Sequence, residues 1–64
     1  MNFLVGDPVL YIPKHAYGND QHPDCEHGVV TSTNEKYVLV LYDGMATPQA
    51  TDPESLRRLI KELS

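Results

Sequence analysis

Residues 37–44 read YVLVLYDG, and the fold turns on this stretch. Six successive residues are aliphatic or aromatic, and Asp43-Gly44 supplies turn chemistry at the end of the run. The stretch reads as a strand. Val38, Val40 and Tyr42 fall on one of its faces, and Tyr37, Leu39 and Leu41 on the other.

The neighbouring segments extend this reading. Upstream, GVVTST (28–33) is β-branched at nearly every position and predicts a second strand. The short connection NEK joins the two into a hairpin. Downstream, the turn at Asp43-Gly44 leads to a short strand near TPQAT (47–51), which Pro48 restricts to an edge or an irregular pairing. Near the start, VGDPVLYIP (5–13) reads as a turn at Gly6-Asp7 and then a strand. Its Val9 and Tyr11 alternate with Leu10 and Ile12 until Pro13, so both faces are expected to be partly covered. From Pro13 to His27 the chain carries Gly, Asn, Asp and Pro at turn spacings with no apolar period, which predicts a loop of about 14 residues.

TDPESLRRLIKEL (51–63) changes the period. Thr51-x-x-Glu54 fits a capping box, or Asp52 caps with Pro53 at the first helical position. Leu56, Leu59, Ile60 and Leu63 recur at i, i+3, i+4 and i+7, which predicts a short C-terminal helix covering one open end of the sheet. The alternative is a single turn at PESL followed by a closing strand RRLI.

Size and charge bound the function. At 64 residues the chain is one domain whose core gives on the order of 3–5 kcal/mol, so a metal, a partner or a second copy would matter to folding itself. A monomer or a homodimer is expected, with the C-terminal stripe as the self-association surface in the second case. The single cysteine excludes an internal disulfide and favours a reducing, cytoplasmic location. No apolar run approaches the roughly 20 residues that span a bilayer, and MNFLVGDP lacks the features of a signal peptide. A formal net charge of −4 disfavours nucleic acid as the main partner. A nucleic-acid adaptor would have to rely on Arg57, Arg58 and Lys61. An acidic chain more naturally meets a protein with a basic surface.

The order GDPVLY, long loop, HGVV, hairpin, YVLVLYDG and a final Pro-x-x-Leu resembles the SH3-like barrel superfamily, which includes Tudor and KOW modules. The resemblance implies a mainly β fold, a small SH3-like β-barrel of about 4–5 strands with a long first loop. It also implies partner recognition through that loop and the hairpin tips. This chain differs from Tudor-type readers in lacking Trp and from KOW-type modules in being acidic. The string VGDPVLYIPKHA…HPDCEHGVV…TDPESL is also similar to small proteins encoded by bacteriophages and prophages. That similarity implies an accessory protein in a bacterial host cell that modulates a host protein, an inhibitor of a defence system being one form.

All three histidines and the cysteine lie in HAYGNDQHPDCEHGVV (15–30). His15, His22, Cys25 and His27 have the atom types of a zinc site but not the spacing of a recurring one. The reading preferred here gives each residue a local task. Asp20 and Asp24 accept backbone N–H groups in turns, Cys25 anchors the loop, and the loop as a whole recognises a partner. No cofactor is then required, zinc being the alternative. Cys25 beside an imidazole has the parts of a nucleophile, but a barrel of this size offers little room for the pocket and oxyanion site that catalysis needs. The chain is therefore expected to be a non-catalytic protein-binding module with Tyr17, Asn19, Asp20, Asp24 and Glu26 as its contact residues.

Overall fold

The computed structural model describes residues 3–59. Five antiparallel strands form one sheet: β1 (Pro8–Tyr11), β2 (Glu26–Thr33), β3 (Val38–Tyr42), β4 (Gln49–Thr51) and β5 (Leu56–Arg58), in the order β4-β3-β2-β1-β5. The hairpin anticipated from GVVTST and YVLVLYDG is the β2–β3 pair. Its connection is held by Asn34, whose side chain accepts from the backbone N–H groups of Lys36 and Tyr37, each at 2.7 Å. At the other end of β3, Gly44 takes a φ of 82° as the chain turns, and the Met45 N–H closes onto the Tyr42 carbonyl at 3.0 Å.

The sheet curls into a half-barrel. Its two edge strands are consecutive in the chain, separated only by Asp52 and the 3-10 turn Pro53–Ser55. In a flat five-stranded sheet the edges would lie roughly 19 Å apart. The five Cα steps from Thr51 to Leu56 span at most about 17 Å when fully extended, and a 3-10 turn shortens that reach further. The sheet therefore has to bend. Part of the bend is localised on β2, where the register with β3 slips between Val30 and Ser32. The displaced Thr31 donates its hydroxyl to the Leu39 carbonyl at 3.1 Å, and such a bulge kinks its strand.

Inside the curl lies a valine core. Val9, Val30, Val38 and Val40 are fully buried and cluster with Tyr42, and Phe3, Tyr11 and Leu56 pack against them. On β3 burial follows the anticipated alternation, with Val38, Val40 and Tyr42 inside and Leu39 and Leu41 half-buried. Both Val9 and Leu10 are buried, so β1 is covered on two faces, as its continuous apolar run implied.

The C-terminal segment corrects the favoured expectation. Asp52 does cap, accepting from the Glu54 N–H at 2.9 Å with Pro53 at the first position, but the helical turn stops after Ser55. Leu56–Arg58 instead pairs with β1 in the register Val9↔Arg58 and Tyr11↔Leu56, which is the alternative of a turn and a closing strand. The reason is tertiary. The outer edge of β1 presents a row of backbone groups that need partners, and the segment satisfies them as a strand but not as a helix. The Ile12 N–H reaches the Ser55 carbonyl and the Leu59 N–H the Pro8 carbonyl, both at 2.8 Å. Ile60, Lys61 and Leu63 lie outside the described residues. No helix among the described residues is long and apolar enough to cross a membrane.

Gly28 leaves no room for a side chain where β2 faces Tyr42 of β3. A Cβ there would lie 2.5 Å from Val40 Cγ1, 2.9 Å from the Leu41 carbonyl oxygen and 3.0 Å from Tyr42 Cδ1. Gly28→Ala is expected to destabilise the fold by about 1–3 kcal/mol through overpacking, lowering the thermal midpoint by roughly 4–8 °C per kcal/mol. Thermal denaturation followed by circular dichroism measures this, and an unchanged midpoint would show that the strands yield freely at that point.

Candidate functional site

The long first loop is a chain of tight turns. Pro13 leads into the 3-10 turn Lys14–Ala16, whose Ala16 is buried. Tyr17 then adopts a left-handed conformation, φ 51° and ψ 43°, and Gly18 follows at φ 78°. Left-handed backbone is costly for a residue with a side chain, and here it ends the turn with the Tyr17 N–H on the Lys14 carbonyl. Further backbone bonds run from Asn19 to Ala16, His22 to Asn19 and Cys25 to His22. Side chains fasten the turns: Asn19 Oδ1 accepts from the Gln21 N–H at 2.9 Å, and His22 Nδ1 from the Asp24 N–H at 3.0 Å. The loop is tied to the sheet by Arg57 Nη1, which donates to Asp20 Oδ2 at 2.8 Å.

These contacts sort the residues singled out from the sequence. Tyr17 is 94% exposed and stands out from the loop. Asn19 is occupied in holding its own turn. Two of the acids already have partners: Asp20 pairs with Arg57, and Asp24 with His15 at 2.7 Å. Glu26 is exposed at the start of β2, opposite Tyr11. Cys25 is half-buried and directs its thiol at the Asn19 carbonyl, 3.4 Å away, so it ties the loop to itself rather than to the barrel as expected. Of the four metal-ligand candidates the structure brings together His15 and His22, with Asp24 as the third member of the group. Cys25 and His27 do not join it. His27 is carried away by the strand, where it sits opposite Leu10.

The cations of the nucleic-acid reading are engaged as well. Arg57 is on Asp20, and Arg58 Nε lies 3.1 Å from Asp7 Oδ2. The second contact is ionic, without the alignment of a hydrogen bond, so the buried Nε has no hydrogen-bond partner. Lys61 lies outside the described residues.

Beside the loop an open groove of about 720 Å³ runs between the ends of β1 and β3, strand β4 and the Asp52–Ser55 connection. Tyr11 and Tyr42 meet in its wall edge to face, with centroids 6.1 Å apart. Met45, about half exposed, also lines it. Glu26 and Asp52 are the acidic residues of the lining, Asp52 with one carboxylate oxygen already accepting the Glu54 N–H, and Lys14 and His15 border it from the loop. No sequence pattern marks this groove. Period two on β3 identifies Tyr42 as a core residue, which it is, but its role in the groove follows only from the pairing of β3 with β4.

Tyr42 is bound into that pairing. Its hydroxyl lies 2.7 Å from Thr51 Oγ1, and the Thr51 hydroxyl in turn reaches the Gln49 carbonyl at 3.3 Å. With the Thr51 proton directed at Gln49, Tyr42 is the donor to Thr51. Burial raises the Tyr42 phenol above its ordinary 10.0 and outweighs the lowering effect of the Thr51 bond, with smaller upward contributions from Tyr11 and Glu26. Below the unfolded value both states keep the proton and stability is unaffected. As pH rises past it, the unfolded chain loses its proton first, so folding stability falls with pH until the native phenol also ionises. Urea denaturation at a series of alkaline pH values is expected to show this fall, and Tyr42→Phe to flatten it. Identical slopes for the two proteins would mean that the Tyr42 phenol titrates alike folded and unfolded. Compared with protein-family models, curated proteins and solved structures, the chain matches none, so its function has to be argued from this geometry.

Proposed function

We infer that this chain is a non-catalytic binding module that takes a basic segment of a partner protein into the groove beside its long loop. The observation that carries the reading is the composition of the groove: two tyrosine rings and Met45, with the carboxylates of Glu26 and Asp52 on the same lining. Aromatic faces and carboxylates together suit the aliphatic stem and charged head of lysine or arginine. The net charge of −4 steers such a partner from a distance. The contact set inferred from the sequence narrows accordingly. Glu26 stays at its centre and Tyr17 stays as an exposed ring on the adjoining loop, whereas Asp20, Asp24 and Asn19 serve the loop itself. The curled five-stranded sheet is in keeping with the SH3-like resemblance, and the resemblance to phage-encoded proteins makes a host protein the natural partner, a component of a defence system among them.

Nuclear magnetic resonance titration of the labelled protein tests this, with a lysine- and arginine-rich peptide and an acidic peptide of equal length as probes. The basic peptide is expected to shift the amides of Tyr11, Glu26, Tyr42 and Met45 and to lose its effect as salt rises. Glu26→Lys is expected to remove most of the response while leaving the spectrum otherwise folded. Equal shifts from the acidic peptide, or shifts that avoid the groove, would overturn the assignment.

A further inference from the structure

At the end of the groove the loop gathers His15, His22 and Asp24 into one cluster. Each offers a donor atom, and the three atoms lie within 4.8 Å of one another. We propose that these three side chains form a surface site for a divalent transition metal, with zinc as the reference ion. This differs from a zinc site built on His15, His22, Cys25 and His27, because Asp24 replaces Cys25 and His27 and the donor set contains a carboxylate and no thiolate.

The cluster is held by elements that do not depend on a metal. His15 comes from the 3-10 turn, whereas His22 and Asp24 come from the two turns closed by His22 N–H on Asn19 and Cys25 N–H on His22. The two imidazoles already pack edge to face with centroids 5.2 Å apart. His15 Nε2 and Asp24 Oδ2 are 2.7 Å apart. Around zinc with bonds of 2.0–2.2 Å in a tetrahedron, neighbouring donors sit about 3.3 Å apart. That pair therefore needs to open by about 0.6 Å to admit the ion between its atoms, and the His22 ring closes the remaining distance by rotating about its side-chain bonds.

The proton positions make the change observable. An ionised carboxylate only accepts, so His15 carries its proton on Nε2 when it bonds to Asp24. Coordination through Nε2 requires that proton to move to Nδ1 by way of solvent. On His22, Nδ1 accepts the Asp24 N–H, which places the proton of the neutral ring on Nε2. Coordination through Nδ1 uses the lone pair that accepts this bond, and coordination through Nε2 returns a proton to Nδ1. In either case the Asp24 amide loses its acceptor.

Donor chemistry sets the ion class. Two imidazoles and a carboxylate suit zinc and its late first-row neighbours, whereas magnesium and calcium prefer all-oxygen sets. The side chains of His15 and Asp24 are 62% and 60% exposed. Three donors in such an open position leave coordination sites for water, as closed structural zinc sites do not. The fold rests on its valine core, so metal is expected to add to stability without being required for folding. The site does not depend on the groove binding a peptide, and either assignment can fail alone.

The test is isothermal titration of zinc chloride into the purified full chain after treatment with EDTA, paired with amide spectra of the same samples. One zinc per chain is expected, with the largest spectral changes at His15, His22 and Asp24 and no response to magnesium. His15→Ala and His22→Ala are expected to weaken binding by at least the roughly 10–100-fold that losing a supporting contact to a metal ligand costs, with the rest of the spectrum unchanged. Cys25→Ser and His27→Ala are expected to bind as the parent does. Absence of binding at a large excess of zinc would overturn the proposal. So would loss of binding in Cys25→Ser or His27→Ala with the spectrum intact, because the donors would then be a different set.

Discussion

Four residues, Asp52 to Ser55, stand between the last residue of one sheet edge and the first residue of the other, and that short reach governs the architecture. A connection too short to cross a flat sheet obliges the sheet to curl, and the curl creates an inside. Val30 of β2 and the alternating Val38 and Val40 of β3 then converge on Val9 from β1, and they bury apolar area that a flat sheet of this size would leave half wet. The same connection also receives the loop. Ser55 accepts the Ile12 N–H just before the loop begins, and Arg57, two residues further on, holds Asp20 within it. The core, the groove and the loop thus share one anchor.

Small size explains why individual positions carry so much. Aromatic and aliphatic anchors are few, and Tyr42 serves three purposes at once. It completes the core row of β3, it joins β4 to β3 through Thr51, and it presents a ring edge to Tyr11 in the groove. Gly28 lies across from it in the register and leaves the space that the ring and Val40 occupy. Surface ion pairs contribute much less. Asp20–Arg57 and Asp24–His15 are largely exposed, and such pairs give about 0–1 kcal/mol. Their importance lies in orienting the loop.

Local signals in the sequence were enough for the strands, and nonlocal ones were not available for the rest. YVLVLYDG and GVVTST are self-sufficient, because alternation and turn residues mark strands wherever they pair. RRLI is not self-sufficient: Leu56, Leu59, Ile60 and Leu63 carry a helical period, and only the open edge of β1 decides that Leu56–Arg58 is extended. The histidine cluster shows the same limit. Nearness in sequence grouped Cys25 and His27 with His22, yet His27 already belongs to the strand and the Cys25 thiol turns toward Asn19. The residue that joins the imidazoles is Asp24, which sequence reading took for a turn residue. Its carboxylate does not accept a backbone N–H as expected but bonds His15, and the turn is closed by the His22 ring, which accepts the Asp24 N–H. The groove was illegible for a different reason, as it forms from residues on β1, β3, β4 and the connection, related only through the sheet's register.

Charge shows how these levels meet. Nine acids against five lysines and arginines suggest a diffuse negative surface, but pairing redistributes it. Asp7 and Asp20 face the two arginines, and Asp24 faces His15. Seven acids and three lysines remain beyond the arginine pairs, so the whole excess of four comes from groups that these ion pairs leave untouched. Among the described residues, Glu26 and Asp52 place two of them on one lining, which Lys14 shares. A uniform acidic surface attracts any basic molecule alike. The proposed binding of a basic segment adds a requirement for shape and place, since Glu26 and Asp52 share one lining with two tyrosine rings. The arginine pairs thus occupy Asp7 and Asp20, and Glu26 and Asp52 stay among the acids that carry the net negative charge.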